Sequence, residues 1–129
     1  MEQYPVFGDR LHLSGVVFNL LDNALKYRSE PCEIRLSLEK NQHSVALKMR
    51  DNGIGIASEF HKKIFEKFFR VPEGNKHNVK GHGLGLSYAS QVLQQHGGSI
   101  RVESDEGQGS IFIVELPDSQ PMRNMNDKR

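Results

Sequence analysis

The sequence predicts an α+β domain: a two-layer α/β sandwich in which a mixed, mostly antiparallel sheet carries helices packed on one face. Two pairs of alternating apolar runs predict the sheet, at residues 33–38 with 44–50 and at 99–104 with 110–116. Every second side chain of a strand points to the same face, so each pair reads as a hairpin with one buried side. Two longer stretches of helical periodicity, one before the first hairpin and one between the two, supply the second layer. Successive hairpins also argue against a doubly wound parallel sheet, whose strands need crossover connections.

The first helix is expected over residues 9–27, with Asp9 as its N-cap and Ser29-Glu30-Pro31 as its stop. The hairpin that follows alternates Ile34, Leu36 and Leu38 with Val45, Leu47 and Met49 around the polar turn Lys40-Asn41-Gln42. A short amphipathic helix is expected over 58–65, then a polar loop containing Pro72 and Gly74, then a helix over 84–96 stopped by Gly97-Gly98. The second hairpin turns at DEGQG, residues 105–109. Residues 1–117 are expected to form one domain, and residues 118–129, polar and aperiodic, a disordered tail.

Size and charge narrow the function. A chain of 129 residues holds one domain with a real core. Lys and Arg number 17 against 16 Asp and Glu, and the net charge of +1 offers no electrostatic reason to expect nucleic acid or membrane contact. Any anion must be caught by local geometry. The single cysteine, Cys32, excludes an internal disulfide framework and a cysteine-based zinc cluster, and suits a reducing compartment. No apolar run approaches the roughly 20 residues that span a bilayer.

Three motifs carry chemistry. On the first helix, Asn19, Asn23 and Lys26 fall within roughly 60° of one another at 100° per residue, with Tyr27 at the edge of the strip. Apolar Val17, Phe18, Leu20, Leu21, Ala24 and Leu25 cover most of the remaining circumference. Asparagine disfavours helices, so a merely solvated face would more often carry Glu, Lys or Arg. The amide oxygens of Asn19 and Asn23 suit Mg²⁺, a hard cation usually shared between one or two protein groups and substrate phosphates, and Lys26 would face a phosphate. Second, DNGIGI (51–56) follows a strand directly. Asn52-Gly53 alone reads as a hairpin turn, but Gly55 recurs and no strand follows, so the segment resembles a pocket wall on which Asp51 accepts a hydrogen bond from an exocyclic amine. Third, GHGLG places Gly81, Gly83 and Gly85 ahead of a helix. No Lys-Ser or Lys-Thr follows, as a P-loop requires, and the spacing is not that of a dinucleotide fingerprint. What remains is a loop whose N–H groups converge on an anion at a helix N-terminus, with phosphate as the natural guest.

Together these motifs resemble the ATP-binding catalytic domain of sensor histidine kinases, within the larger group that includes gyrase, the Hsp90 chaperones and the MutL repair proteins. The likeness covers residues 5–116. FNLLDNALKY is similar to that family's asparagine box, DNGIGI to its adenine-side glycine box, IFEKFFR to its phenylalanine box and GHGLGLS to its phosphate-side glycine box. The resemblance implies that Asp51 contacts the adenine amino group, beside Gly53, Gly55 and Ile56, and that Tyr27 lies against the ring. It implies that Asn23, with Asn19, holds Mg²⁺, that Lys26 meets the phosphates, and that Gly81, Gly83, Leu84, Gly85 and Leu86 offer backbone to the phosphate chain. Arg70 is a candidate for the γ-phosphate or an exposed arginine flanking a lid over 71–81, which Phe65 and Phe68 would anchor by packing. His82 stands where a small hydroxyl residue is more usual, and either adds a phosphate contact or points to solvent.

The ATP-hydrolysing relatives carry a glutamate where this sequence has Asn19, and a carboxamide cannot act as a general base. The implied activity is therefore donation of the γ-phosphate of Mg-ATP to a histidine in two-component signalling, not hydrolysis. The alternatives are a regulatory module that binds ATP without transferring phosphate, or an ATPase. None of the six histidines sits beside an acidic residue as a phosphoacceptor would, so the implied partner is a separate dimerisation and phosphoacceptor helical domain, and indirectly a response regulator. The chain is expected to be a cytoplasmic fragment, monomeric in isolation, of a parent that can be membrane-anchored.

Overall fold

The structure, a computed structural model, describes residues 9–71 and 85–117. Helix α1 spans Arg10–Lys26. Asp9 starts it from an extended conformation, its Oδ1 accepting the N–H groups of Leu11 at 2.9 Å and His12 at 3.2 Å, which satisfies two of the donors a helix start leaves unpaired. At the other end Arg28 Nη1 donates to the Leu25 carbonyl at 2.9 Å, and Tyr27 is the C-cap. Strands β1 (Ile34–Lys40) and β2 (Ser44–Asp51) form the first hairpin, α2 covers Gly85–Gln95, and β3 (Ser99–Ser104) with β4 (Ser110–Pro117) forms the second.

The four strands make one sheet in the order β1-β2-β4-β3, and all three pairings are antiparallel. The two hairpins therefore join through β2 and β4, a contact between residues far apart in sequence. That pairing sets Asp51 opposite Ser110 and Met49 opposite Phe112. One face of the sheet meets α2, which packs on β3 and β4 and carries α1 beside it. Phe112, Leu20, Met49, Leu93 and Val16 are the largest fully buried side chains and form the centre of this layer. No helix among the described residues is long and apolar enough to cross a membrane.

Three expectations require correction. The single helix predicted over 58–65 is two separate 3₁₀ turns, Ser58–Phe60 and Lys63–Phe65. The His61 Nε2 lies 2.9 Å from the Ile56 carbonyl, tying the first turn back to the preceding loop while Ile64 reaches the core. The apolar face of β1 is not buried: Leu36 and Leu38 remain 51% and 50% exposed. Register places them opposite Met49 and Leu47, but β1 is the edge strand and α2 covers the far side of the sheet. Finally, Ile113 on the outer face is buried. Its cross-strand neighbours are Lys48 and Arg101, whose hydrocarbon stems can shield it while their charges reach Glu39 and Glu115.

Candidate functional site

Helix α1, the end of β2 and the start of α2 line a cleft of about 950 Å³, its open mouth included. The polar strip read from the sequence forms one wall, since Asn19, Asn23, Lys26 and Tyr27 all line the cleft. Asn19 is held in a defined orientation, because its Nδ2 donates to the Gly15 carbonyl at 2.8 Å. Its oxygen is thereby turned toward α2, so close that a Cβ added at Gly85 would meet Asn19 Oδ1 at 2.7 Å. Gly85 thus gives up a side chain to the Asn19 amide, a physical reason for the last glycine of GHGLG within the protein itself. Asn19 and Asn23 bring carboxamides to this wall of the cleft, and a carboxamide oxygen is a donor type that a hard cation accepts. Among the described residues no group of three or more His, Cys, Asp and Glu is placed to hold a metal.

The floor is Asp51, the last residue of β2. Its Oδ1 accepts the Gly53 N–H at 2.8 Å. Burial raises the Asp51 carboxyl above the ordinary carboxylate value, against the opposing pull of the Gly53 and Ser110 N–H groups. Around it Ile54, Ile56, Ile64, Phe69 and Leu86 supply an apolar lining. A single half-buried acceptor in an apolar slot suits a flat heteroaromatic ligand with an exocyclic amine.

The DNGIGI loop is held by protein contacts on both sides. Ile54 donates to the Tyr27 carbonyl at 3.1 Å, and its own carbonyl accepts the Gly107 N–H at 2.7 Å. Gly55 has φ +76° and lies against the Asp105 carbonyl. Gly53, expected beside the ligand, is buried against the Tyr27 carbonyl and does not line the cleft. Its missing side chain lets the loop close on the end of α1. The turn DEGQG is consequently a brace for the pocket wall as well as a connection between strands.

Asp22 also lines the cleft and forms a 3.0 Å ion pair with Lys26. The lysine expected to face phosphate therefore has a carboxylate neighbour, in an exposed pair of the kind that contributes little stability. Arg70 also lines the cleft. In the phenylalanine box, Phe65 packs edge-on against Phe112 with ring centroids 6.3 Å apart. Phe68 has φ +69° and is 67% exposed, and the lid it was expected to anchor lies, beyond Val71, outside the described residues. Its neighbour Phe69 packs on Phe60 with ring centroids 5.8 Å apart and lines the cleft. Gly81, His82, Gly83, Leu84 and all but the first residue of the expected lid lie outside the described residues. Ser110, Ser104 and Phe69 were missed from the sequence. Ser110 joins the pocket through the pairing of β2 with β4, for which the chain carries no local signal.

A model of the family described as histidine kinase-, DNA gyrase B- and HSP90-like ATPase matches residues 8–120. The sensor protein RprX of Bacteroides fragilis is 44% identical over 114 residues, covering 87% of this chain and 22% of RprX. The sensor-like histidine kinase SenX3 of Mycolicibacterium smegmatis is 34% identical over 126 residues, 98% of this chain and 33% of SenX3. The chain thus spans about a fifth to a third of the length of these two relatives. Among solved structures, the mycobacterial sensor histidine kinase MprB superposes with a TM-score of 0.77 at 31% identity, over 88% of this chain and 75% of that one. Full-length ShkA in complex with AMPPNP superposes with a TM-score of 0.73 at 29% identity, over 87% of this chain and 22% of that one.

Proposed function

The chain belongs to the histidine kinase-, DNA gyrase B- and HSP90-like ATPases, and from that premise we propose that its cleft binds Mg-ATP and presents the γ-phosphate to a histidine on a separate phosphoacceptor helical domain. The observation that carries this is the half-buried Asp51 carboxylate at the base of an apolar slot whose rim bears Asn19, Asn23 and Lys26. Asp51 accepts from the adenine amino group and Tyr27 flanks the ring. The carboxamide oxygens of Asn19 and Asn23 would hold the cation, and Lys26 and Arg70 face the phosphates, with backbone from Gly81 to Leu86 along the chain of anions. A bound magnesium ion supplies positive charge at the phosphates. The protein's own part is orientation and electrostatic complementarity, which dominate phosphoryl transfer.

Asn19 favours transfer to a protein over hydrolysis, because an amide whose nitrogen already donates to Gly15 offers no base to activate water. The phosphorylated histidine then serves a response regulator. We assign residues 1–117 to this domain and 118–129 to a tail, place it on the cytoplasmic side of any membrane its parent spans, and take the isolated domain to be a monomer. Calorimetry with ATP, with and without Mg²⁺, tests the site: wild type binds, and Asp51→Asn and Asn23→Ala bind more weakly. Undiminished binding in both variants would rule out this cleft. Incubation with γ-labelled ATP and a cognate helical hairpin tests transfer: label on a hairpin histidine supports a kinase, whereas steady phosphate release without the hairpin points to an ATPase.

A further inference from the structure

A row of side chains crosses the sheet from the pocket floor. Asp51 on β2 is opposite Ser110 on β4, and Ser110 is opposite Ser104 on β3, so all three project from the same face. Ser110 is buried and stands between two acceptors at cross-strand spacing, the Asp51 carboxylate on one side and the Ser104 hydroxyl on the other. Which of them receives its proton is decided at Ser104.

A serine hydroxyl has one proton and two lone pairs. Ser104 Oγ donates to the Gly109 carbonyl at 2.7 Å and accepts the Ile56 N–H at 2.8 Å. Its proton is therefore committed, and the 2.8 Å contact between Ser104 Oγ and Ser110 Oγ has one consistent polarity, with Ser110 donating into the second lone pair of Ser104. The same hydroxyl fastens the DNGIGI loop at Ile56 and the brace at Gly109, so it meets all three parts of the pocket floor at one atom.

We propose that Ser104 is a positioning residue for base recognition: by taking the Ser110 hydroxyl proton it keeps that proton off Asp51, leaving a carboxylate lone pair open to the exocyclic amine of a purine. This rests on the assignment of ATP as ligand. Remove the Ser104 hydroxyl, and the buried Ser110 proton loses its partner. A buried donor left unsatisfied is costly, and the nearest remaining acceptor in the row is Asp51. Once Ser110 donates to Asp51, the carboxylate competes less well for an amine, and the pocket discriminates less between a 6-amino and a 6-oxo purine.

The test compares ATP with inosine triphosphate, which carries an oxo group in place of the amine, by calorimetry in the presence of Mg²⁺. Wild type prefers ATP. In Ser104→Ala that preference falls about tenfold, the scale of one oriented hydrogen bond, and Ser104→Thr, which restores a hydroxyl on a residue suited to a strand, regains it. A merely structural role would weaken both nucleotides equally; an unchanged ratio in Ser104→Ala would therefore overturn the proposal while ATP binding stands. Binding of neither nucleotide by wild type would refute ATP as the ligand as well. If Ser104→Ala does not fold, the wild-type protein decides the matter by proton NMR of the buried hydroxyls. A nuclear Overhauser contact from the Ser110 hydroxyl proton to the Ser104 β protons is expected, and a Ser110 proton directed at Asp51 would overturn the assignment.

Discussion

Gly55 and Gly107 provide a matched pair for testing how the pocket wall is braced. Both have left-handed backbones, with φ of +76° and +79°, so alanine carries a similar conformational penalty at either position, about 1 kcal/mol. Their surroundings differ completely. A Cβ at Gly107 meets nothing within 4 Å, whereas one at Gly55 collides with the Asp105 carbonyl and the Gly107 nitrogen. Relief of that collision must part the DNGIGI loop from the DEGQG turn, weakening Gly107 N–H to Ile54 O at 2.7 Å and Ile56 N–H to Ser104 Oγ at 2.8 Å. At about 1 kcal/mol for each net hydrogen bond, Gly55→Ala should cost roughly 3 kcal/mol against roughly 1 kcal/mol for Gly107→Ala. Urea unfolding of both variants beside wild type, with the denaturant slope checked for constancy, measures the difference. Equal losses within about 0.5 kcal/mol would refute the brace and attribute both effects to backbone strain alone.

Asp51→Asn should weaken ATP binding about 10- to 100-fold, the scale of a hydrogen bond to a charged acceptor; calorimetry that finds less than a threefold change would remove Asp51 from the base contact. Because burial raises the Asp51 carboxyl in the folded state above 3.8, the native form binds its proton more tightly than the unfolded chain does. Its contribution to stability is thus fully present below 3.8 and lost as pH rises through the raised value. Urea titrations across that window should show Asp51→Asn gaining stability relative to wild type as pH increases, and a difference independent of pH would contradict the burial. Phe68→Ala should change stability by less than about 0.5 kcal/mol, as expected for an exposed side chain, while Phe69→Ala should cost about 2 kcal/mol, short of the value for a fully buried phenylalanine; thermal melts giving the reverse order would place the wrong phenylalanine in the core.

The local elements were largely legible. Asp9 capping, the two hairpins, the strip Asn19-Asn23-Lys26 and the glycine stop after α2 all depend on residues within a few positions of one another. The misses have a common character. Leu36 and Leu38 alternate as a buried strand should, yet they are half exposed because β1 lies at an edge. Phe68 and Phe69 are adjacent and chemically alike, yet Phe69 packs against the core while Phe68 is exposed. Gly53, expected beside a ligand, instead accommodates the Tyr27 carbonyl, whereas Gly55 lines the cleft and also accommodates the Asp105 carbonyl.

By itself the sequence determined the periodicities, the caps and the chemistry of the polar strip, because these are set by side-chain type and by the 3.6- and 2-residue repeats of the backbone. It also carried the motif order by which the family is recognised. Only the tertiary structure decided that β2 pairs with β4, and with that pairing the meeting of Asp51 with Ser110 and Ser104, the clamp of one loop by the turn of a distant hairpin, and the approach of Gly85 to Asn19. The reason is that strand pairing between hairpins is driven by burial of a shared face, to which residues some 60 positions apart contribute, and no local pattern specifies which edges will meet.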